Sequence, residues 1–285
     1  MGAAACVTAT AMSAAGTVAA ATYFARKVLT PDRLRPDDTQ ILAVSDDSLT
    51  LGLTPVSAQP GRYGLWLDGG QGHARVGAVV DVDRASGRVR RVLEGVDAGE
   101  LSVGPARWNQ YYFAGDPRVA LGLPFRDVEI AAEIGMLAAW RVPTVDGVAA
   151  RWAILVHGRG AQREECLRAL PVLHDLGFTA LIPSYRNDIG APSSPDGRYS
   201  LGLSEWRDLE AALLYAVERG AREVILLGYS MGGAIILQTL DRSWLSDRVG
   251  AVILDAPVID WSDVLRHHGA LNRIPGPIER LSRSL

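Results

Sequence analysis

Cysteine is scarce in this sequence, which has two cysteines, Cys6 and Cys166, among its 285 residues. One lies near the N-terminus and the other lies in a segment with helical spacing, so a disulfide framework is not expected. The sequence also lacks the C-x-x-C and H-E-x-x-H patterns that are typical of zinc sites. We therefore predict neither a metal nor an organic cofactor.

A surplus of charge of one sign is missing as well. The 29 Lys and Arg residues and the 32 Asp and Glu residues give a formal net charge of −3, and the charges are scattered along the chain. Proteins that bind nucleic acid usually carry a basic run or a basic face. Nucleic acid is therefore not an expected partner, and the length allows one large domain or two smaller ones.

Charge is absent altogether from residues 2–25, which are followed directly by Arg26 and Lys27. The stretch is long enough to span a bilayer as a helix, but most of its residues are Ala, Thr, Gly and Ser. A cleaved secretory signal ending near residues 19–21 and a soluble tail are the alternatives, although the basic start of a signal is missing. We predict that residues 1–30 tether the chain to a membrane or direct its secretion, and the side of the membrane is left open.

Residues 31–127 have the pattern of a small β-rich accessory domain. Residues 74–82 and 88–93 alternate in sidedness and flank residues 83–87, whose sequence DRASG is typical of a hairpin turn. Further strands are predicted at residues 41–44, 49–53 and 63–67. For the histidine and the aromatic residues of this region we favour packing inside the domain, with a substrate-facing role as the alternative. These residues are His73, Trp108, Tyr111, Tyr112 and Phe113.

From residue 128 to residue 263 strand and helix patterns alternate, which favours an α/β domain built on a doubly wound, mostly parallel sheet. Residues 163–176 have helical spacing, and a second helix is predicted at residues 204–219 with Ser204 as its N-cap. Apolar stretches bounded by turn residues predict strands at residues 136–142, 150–156, 178–183, 224–227 and 249–254.

The most informative residue is Ser230, which lies in Gly228-Tyr229-Ser230-Met231-Gly232 between an apolar strand pattern and an apolar helix pattern. Strand, G-x-S-x-G and helix together predict a tight, strained turn that exposes the serine hydroxyl above the sheet. The turn needs the small residues Gly228 and Gly232 on either side of the serine. The amide of Met231 is then expected to lie where a developing oxyanion needs a donor.

A second motif, His157-Gly158-Arg159-Gly160, follows the predicted strand at residues 150–156. A glycine-rich turn in this place commonly supplies a second oxyanion donor, and we predict that the amide of Arg159 has this role. His157, Gly158 and Gly160 are predicted to shape the turn. An ordinary strand-to-helix turn around Ser230 is the alternative interpretation, and the presence of both motifs in the right order argues against it.

Two further stretches accompany these motifs, residues 184–188 (SYRND) and residues 254–257 (LDAP). With them, residues 128–263 resemble the first part of an α/β-hydrolase, and they are similar to bacterial serine hydrolases of the prolyl-oligopeptidase-like and serine-aminopeptidase-like groups. The resemblance implies nucleophilic attack by Ser230 on a small-molecule or peptide acyl substrate, either an ester or an amide. Residues just past a strand end often line the site of such folds, and three polar residues follow the strand at residues 178–183. We favour loop solvation and turn formation for them, with a place in the pocket as the alternative. These three residues are Arg186, Asn187 and Asp188.

The sequence departs from this superfamily after the serine, where its members place the catalytic acid and then the histidine on later strands. One strand, at residues 249–254, is predicted after Ser230 before the sequence ends at Leu285. We therefore expect a C-terminally incomplete hydrolase that lacks its last strands, acid and histidine. Residues 264–285 are interpreted as the start of a cap segment or as a truncated tail. A non-catalytic binding or structural module of the same fold is the alternative.

The part of the sequence that follows Ser230 offers two candidates for the catalytic acid and two for the base. Asp255 and Asp260 follow the last predicted strand, and His267 and His268 are the only histidines downstream of Ser230. A triad built from them requires the acid and the base to share one loop rather than to converge from two strand ends, so we do not favour it.

Overall fold

The computed structural model describes residues 26, 28–31, 35–144, 150–261 and 263. They form a closed β-barrel followed by a six-stranded sheet that carries helices. Residues 2–25 of the predicted apolar segment lie outside the described residues, as do residues 264–285, for which a cap segment or a truncated tail was predicted.

The barrel is formed by six antiparallel strands between Thr39 and Asn109. The strands are β1 (Thr39–Val44), β2 (Ser48–Gly52), β3 (Tyr63–Leu67), β4 (Gly72–Asp83), β5 (Arg88–Ala98) and β6 (Gly104–Asn109). Their order is β1-β2-β5-β4-β3-β6, and β6 pairs back onto β1, so the barrel has no open edge. The predicted β-rich domain is thus confirmed, while β6 was not predicted, because Gly104 and Pro105 at its start mask the strand pattern.

Inward-facing apolar side chains fill the barrel, and they include Leu51, Leu65, Val76 and Trp108. Trp108 therefore packs in the core, as the favoured interpretation of the aromatic residues predicted. Arg91 is also fully buried, and its guanidinium donates hydrogen bonds to four backbone carbonyls. The accepting residues are Ser57, Gln59, Gly61 and Gly77. These bonds fix the loop between β2 and β3 against the barrel wall.

The second unit is a six-stranded sheet in the order β12-β11-β9-β10-β8-β7. Its strands are β7 (Arg126–Ala132), β8 (Gly135–Val142), β9 (Arg151–Val156), β10 (Thr179–Pro183), β11 (Glu223–Tyr229) and β12 (Val249–Asp255). The four strands from β9 to β12 are parallel, and the hairpin of β7 and β8 adds two antiparallel strands beside β10. The mostly parallel sheet is therefore confirmed, although it begins at Arg126, before the predicted boundary at residue 128.

Both faces of the central strands β9, β10 and β11 are buried, as their continuous apolar runs predict. In β9 the side chains of Ile154 and Val156 pack on one face, and Leu155 packs on the opposite face. The helices are α1 (Pro117–Leu121), α2 (Leu170–Asp175), α3 (Trp206–Glu218) and α4 (Met231–Arg242). Burial of each large apolar side chain contributes about 1.5–3 kcal/mol, so the sheet and its helices form one stable platform.

Two predicted helices differ in the structure from what the sequence indicates. The helix expected at residues 163–176 is split into a 3-10 helix (Arg163–Ala169) and α2, because Pro171 lies in the first turn of α2 and cannot donate to the preceding turn. Ser204 is not the N-cap of α3, which begins at Trp206. The buried carboxylate of Glu205 instead accepts hydrogen bonds from the amides of Ser200 and Gly202 and so organises the turn before the helix.

Candidate active site

Ser230 lies between the end of β11 and the start of α4, as the sequence predicts. Its backbone angles are φ 49° and ψ −113°, a combination that residues with a side chain rarely adopt. The serine occupies the N-cap position of α4, yet its hydroxyl makes no capping hydrogen bond. A strained conformation that caps nothing is typical of a side chain held in place for chemistry.

The two glycines around the serine allow the close packing of this turn. A Cβ atom on Gly232 would overlap the carbonyl oxygen of Val156 and lie 2.8 Å from that of His157, and one on Gly228 would lie 2.6 Å from the Cδ1 atom of Ile236. The amide of Ser230 also donates to the carbonyl of the residue that ends β12, at 3.0 Å. The strained turn is therefore fixed from both sides by neighbouring backbone.

The His157-Gly158-Arg159-Gly160 turn borders Ser230 directly. β9 and β11 are parallel neighbours with Val156 paired to Gly228, so the residues that follow both strands emerge at one edge of the sheet. A Cβ atom on Gly158 would lie 3.2 Å from the Cβ atom of Ser230. The structure thus brings together the two motifs that were singled out in the sequence.

Hydrogen bonds orient the peptide group between Gly158 and Arg159. Its carbonyl oxygen accepts a hydrogen bond from the Tyr185 hydroxyl at 3.0 Å and lies 3.0 Å from His157 Nδ1. In a trans peptide the N–H points away from the carbonyl, so the Arg159 amide faces away from Tyr185. The Arg159 side chain leaves the turn and donates to the carbonyls of Val28 and Thr30. Met231 begins α4, where the first amides of a helix have no acceptor within the helix.

His157 supports the turn and is not positioned as a base for Ser230. Its ring is fully buried, its Nε2 atom lies 2.9 Å from the carboxylate of Asp188, and it stacks on Tyr185 with 4.4 Å between ring centroids. Burial, the largest single effect, lowers its pKa, but the charge and hydrogen bond of Asp188, together with the Gly158 carbonyl and the charge of Glu165, outweigh burial and raise it. Because both ring nitrogens face oxygen acceptors, we assign His157 as a doubly protonated cation.

The candidate acids and bases are not assembled around Ser230 among the described residues. The carboxylate of Asp255 lies 3.6 Å from the guanidinium of Arg168 and is more than half exposed, and Asp260 is exposed. His267 and His268 lie outside the described residues. His73 pairs with Asp97 in the barrel, and His174 lies on α2. Of the three histidines that the structure describes, none bonds to the Ser230 hydroxyl.

Comparison with known families agrees with this geometry. Residues 153–284 match the family described as "Alpha/beta hydrolase family". This match identifies residues 153–284 as a member of the α/β-hydrolase superfamily. Residues 40–109, which coincide with the barrel, match a separate family described as "Domain of unknown function (DUF8805)". No curated protein sequence matches the chain.

Solved structures similar to this chain include an esterase from Pyrococcus furiosus. That match has 20% sequence identity and a TM-score of 0.48, and it covers 60% of this chain and 64% of the esterase. A serine hydrolase without a lid from Xanthomonas campestris is 22% identical, with a TM-score of 0.36 and coverage of 41% of this chain and 56% of that one. The chain spans less than two thirds of the length of the esterase.

The segment at residues 184–188 takes two roles in the hydrolase unit. Arg186 is buried and forms a bidentate ion pair with Asp208 of α3, with N–O distances of 2.8 Å and 2.7 Å. Asn187 and Asp188 instead line a cavity of about 320 Å³ beside Gly160. The favoured interpretation of a solvated loop is therefore wrong for Arg186, because its ion pair with Asp208 holds the side chain in the core.

Sequence reasoning missed two residues that contact the His157-Gly158-Arg159-Gly160 turn. One is Tyr185, whose hydroxyl bonds to the turn, and the other is Glu165, whose carboxylate accepts the Gly158 amide at 2.6 Å. Tyr185 lies in the stretch at residues 184–188 and Glu165 lies in the helix predicted at residues 163–176, but no pattern in either stretch predicts a contact with the turn. They are visible only once the segments that follow β9 and β10 are placed together.

Among the described residues, no group of three or more His, Cys, Asp and Glu side chains is arranged to hold a metal ion. Within the same part of the chain, no helix is long and apolar enough to cross a membrane.

Proposed function

We propose that this chain is a serine hydrolase that cleaves an ester or an amide through Ser230. The observation that carries the proposal is the backbone of Ser230, at φ 49° and ψ −113° between β11 and α4, with a hydroxyl that caps nothing. Such strain costs about 1–3 kcal/mol and persists at functional sites because the surroundings impose it. The adjoining Gly158 turn gives the serine a partner loop for binding the acyl oxygen.

In the proposed reaction the Ser230 oxygen attacks the carbonyl carbon of the substrate and forms a tetrahedral intermediate. The amides of Met231 and Arg159 donate to the oxyanion that develops on the former carbonyl oxygen. Loss of one such donor typically lowers turnover about a hundredfold to a thousandfold, so the pair is a large part of the proposed catalysis. The leaving group then departs with a proton, and water hydrolyses the acyl-enzyme.

A base must accept the proton of Ser230 in this scheme. His157 is excluded because its ring is buried and held by Asp188. Within the chain the candidates that remain are His267 and His268, with Asp255 or Asp260 as the acid. The position of Asp255 beside Arg168 disfavours it as the partner of an imidazole, because its charge is already paired.

The proposal is tested with an active-site-directed fluorophosphonate and identification of the labelled residue by mass spectrometry. We expect slow labelling at Ser230, because a serine hydroxyl without a base is a weak nucleophile at neutral pH. Ser230→Ala must abolish the label, whereas the matched control Ser246→Ala, at a half-buried serine on the same unit, must retain it. Rapid labelling that His267→Ala or His268→Ala removes would identify the base instead. Label that persists in Ser230→Ala would refute the assignment of the nucleophile.

A non-catalytic module of the same fold is the second candidate function. It is favoured by the observation that no histidine among the described residues bonds to the Ser230 hydroxyl. It predicts that no label reaches Ser230 even after prolonged incubation of protein that is folded by circular dichroism. The same experiment therefore separates the two candidates.

A further inference from the structure

Glu165 contacts the turn that faces Ser230, although its sequence context gives no sign of a role. It lies in the 3-10 helix (Arg163–Ala169) that follows β9, and its Oε2 atom accepts a hydrogen bond from the Gly158 amide at 2.6 Å. The side chain is only 13% exposed. A short hydrogen bond to a shielded carboxylate is among the stronger ones in proteins, so it restrains the turn firmly.

The carboxylate of Glu165 is also close to the serine. A Cβ atom on Gly158 would lie 3.2 Å from Ser230 Cβ and 3.3 Å from Glu165 Oε2, and these two distances bound the separation of Ser230 Cβ and Oε2 at about 6.5 Å. Yet among the described residues no hydrogen bond joins Glu165 to the Ser230 hydroxyl. Glu165 is thus near the reacting atom and engaged with the backbone beside it.

Arg168 balances the negative charge of Glu165 and links it to the other loop that flanks the serine. Its guanidinium lies 3.6 Å from Glu165 Oε1 and 3.6 Å from the carboxylate of Asp255, and it stacks 4.1 Å above the ring of Tyr229. The backbone carbonyl of Asp255 accepts the amide of Ser230. A cation between the two acids reduces the repulsion that Glu165 exerts on an oxyanion nearby.

We propose that Glu165 is a positioning residue that holds the Gly158 turn so that the Arg159 amide faces the oxyanion. Its hydrogen bond fixes the amide on one side of Gly158, while Tyr185 and His157 hold the carbonyl on the other side. Both peptide groups of Gly158 are then restrained, which compensates for the freedom that a glycine otherwise gives the chain. The proposal rests on the proposed function of Ser230, because it assigns Glu165 a part in the same reaction.

The test compares Glu165→Ala with Glu165→Gln, since glutamine retains an oxygen that can accept the Gly158 amide. The matched control is Glu218→Ala, which removes an exposed carboxylate from the surface of α3. The first measurement is amide hydrogen exchange of a peptide covering residues 157–161, which does not depend on catalysis. The second is the rate at which fluorophosphonate labels Ser230, measured as a function of probe concentration.

We expect Glu165→Ala to speed exchange in residues 157–161 and to slow labelling at saturating probe, each about tenfold to a hundredfold, as the loss of a charged hydrogen bond implies. Glu165→Gln should stay within about threefold of the wild-type protein in both measurements, with an unchanged pH profile. Unchanged exchange in Glu165→Ala would overturn the proposal, even if the wild-type Ser230 is never labelled. If Glu165→Gln slows labelling as much as Glu165→Ala, the carboxylate acts as a charge or a base and not as a positioning residue. Failure of the wild-type protein to label, with exchange behaving as expected, would refute the proposed function alone.

Discussion

Replacement of Asp188 by asparagine should change how the stability of the protein depends on pH. His157 and Asp188 form a fully buried pair in which the carboxylate faces the Nε2 atom of the ring at 2.9 Å. Burial lowers the pKa of His157, and Asp188 makes the largest contribution among the groups that together raise it. Asp188→Asn keeps the shape of the side chain while it removes the charge, so it isolates the electrostatic part of the pair.

The direction in which the stability contribution of His157 changes with pH follows from the linkage between protonation and folding. A histidine whose pKa is higher in the folded state adds stability that is fully present below its unfolded pKa of about 6.5 and is lost as the pH rises through the folded pKa. The contribution of His157 in the wild-type protein should therefore fall with rising pH by at most about 1.4 kcal/mol per pH unit. In Asp188→Asn the two largest effects that oppose burial are lost, and only the weaker ones of the Gly158 carbonyl and Glu165 remain. We therefore expect the ring to stay neutral in the folded state and this fall to disappear.

The loss of unfolding free energy in Asp188→Asn is set by the cost of leaving one member of a buried ion pair without its partner, which is about 3–5 kcal/mol. We expect the destabilisation by Asp188→Asn to approach this range at pH 5.5 and to shrink towards pH 8.5. The assay is urea unfolding of both proteins at pH values from about 5.5 to 8.5, the interval on either side of the free histidine pKa.

Subtracting the unfolding free energy of Asp188→Asn from that of the wild-type protein at each pH cancels the contribution of His73. Its pKa is lowered, chiefly by burial, so its contribution to stability is lost as the pH falls, opposite to that of His157. His73 lies in the barrel beside Asp97, away from the substitution, and contributes equally to both proteins. A difference in unfolding free energy that stays constant across the pH range would refute the assignment of His157 as a cation.

The elements that could be predicted from the sequence are those whose pattern is local. β3 occupies residues 63–67 as expected, because a short run rich in aromatic and leucine side chains ends at a turn of aspartate and glycines. The strand, the serine turn and the helix around Ser230 were predicted for the same reason. There, apolar runs of the right length flank glycines that tight packing requires. An element can be predicted from its local sequence when the residues in it favour one conformation strongly over the others.

Closure of the barrel could not be predicted, because it depends on pairs that are distant in the chain. β6 pairs with β1 through Thr39 and Ala106 and with β3 through Leu65 and Trp108. Neither pairing has a signature in the residues of β6 itself. The same limit applies to the site, where Glu165 bonds to the amide of Gly158 from a separate element. Contacts of this kind are decided by where the elements are packed.

Two further substitutions test the serine turn, and both are measured by urea unfolding. Gly232→Ala should destabilise the protein by about 3 kcal/mol or more, because the new methyl group would overlap the backbone of Val156 and His157. In the control Gly250→Ala the new methyl group meets only the flexible side chain of Glu223, so the cost should be about 1 kcal/mol or less. Equal costs for the two would show that the turn has room to spare. The second comparison is Ser230→Gly against Ser230→Ala. Glycine normally destabilises a fixed position by about 0.5–1 kcal/mol relative to alanine. At φ 49° and ψ −113° the strain on a residue with a Cβ atom is about 1–3 kcal/mol, and glycine relieves it. Ser230→Gly should therefore be the more stable variant by about 1 kcal/mol, although neither variant can be labelled at residue 230. If Ser230→Gly is instead the less stable variant, the turn stores no strain, and the argument that connects its backbone to catalysis loses its support.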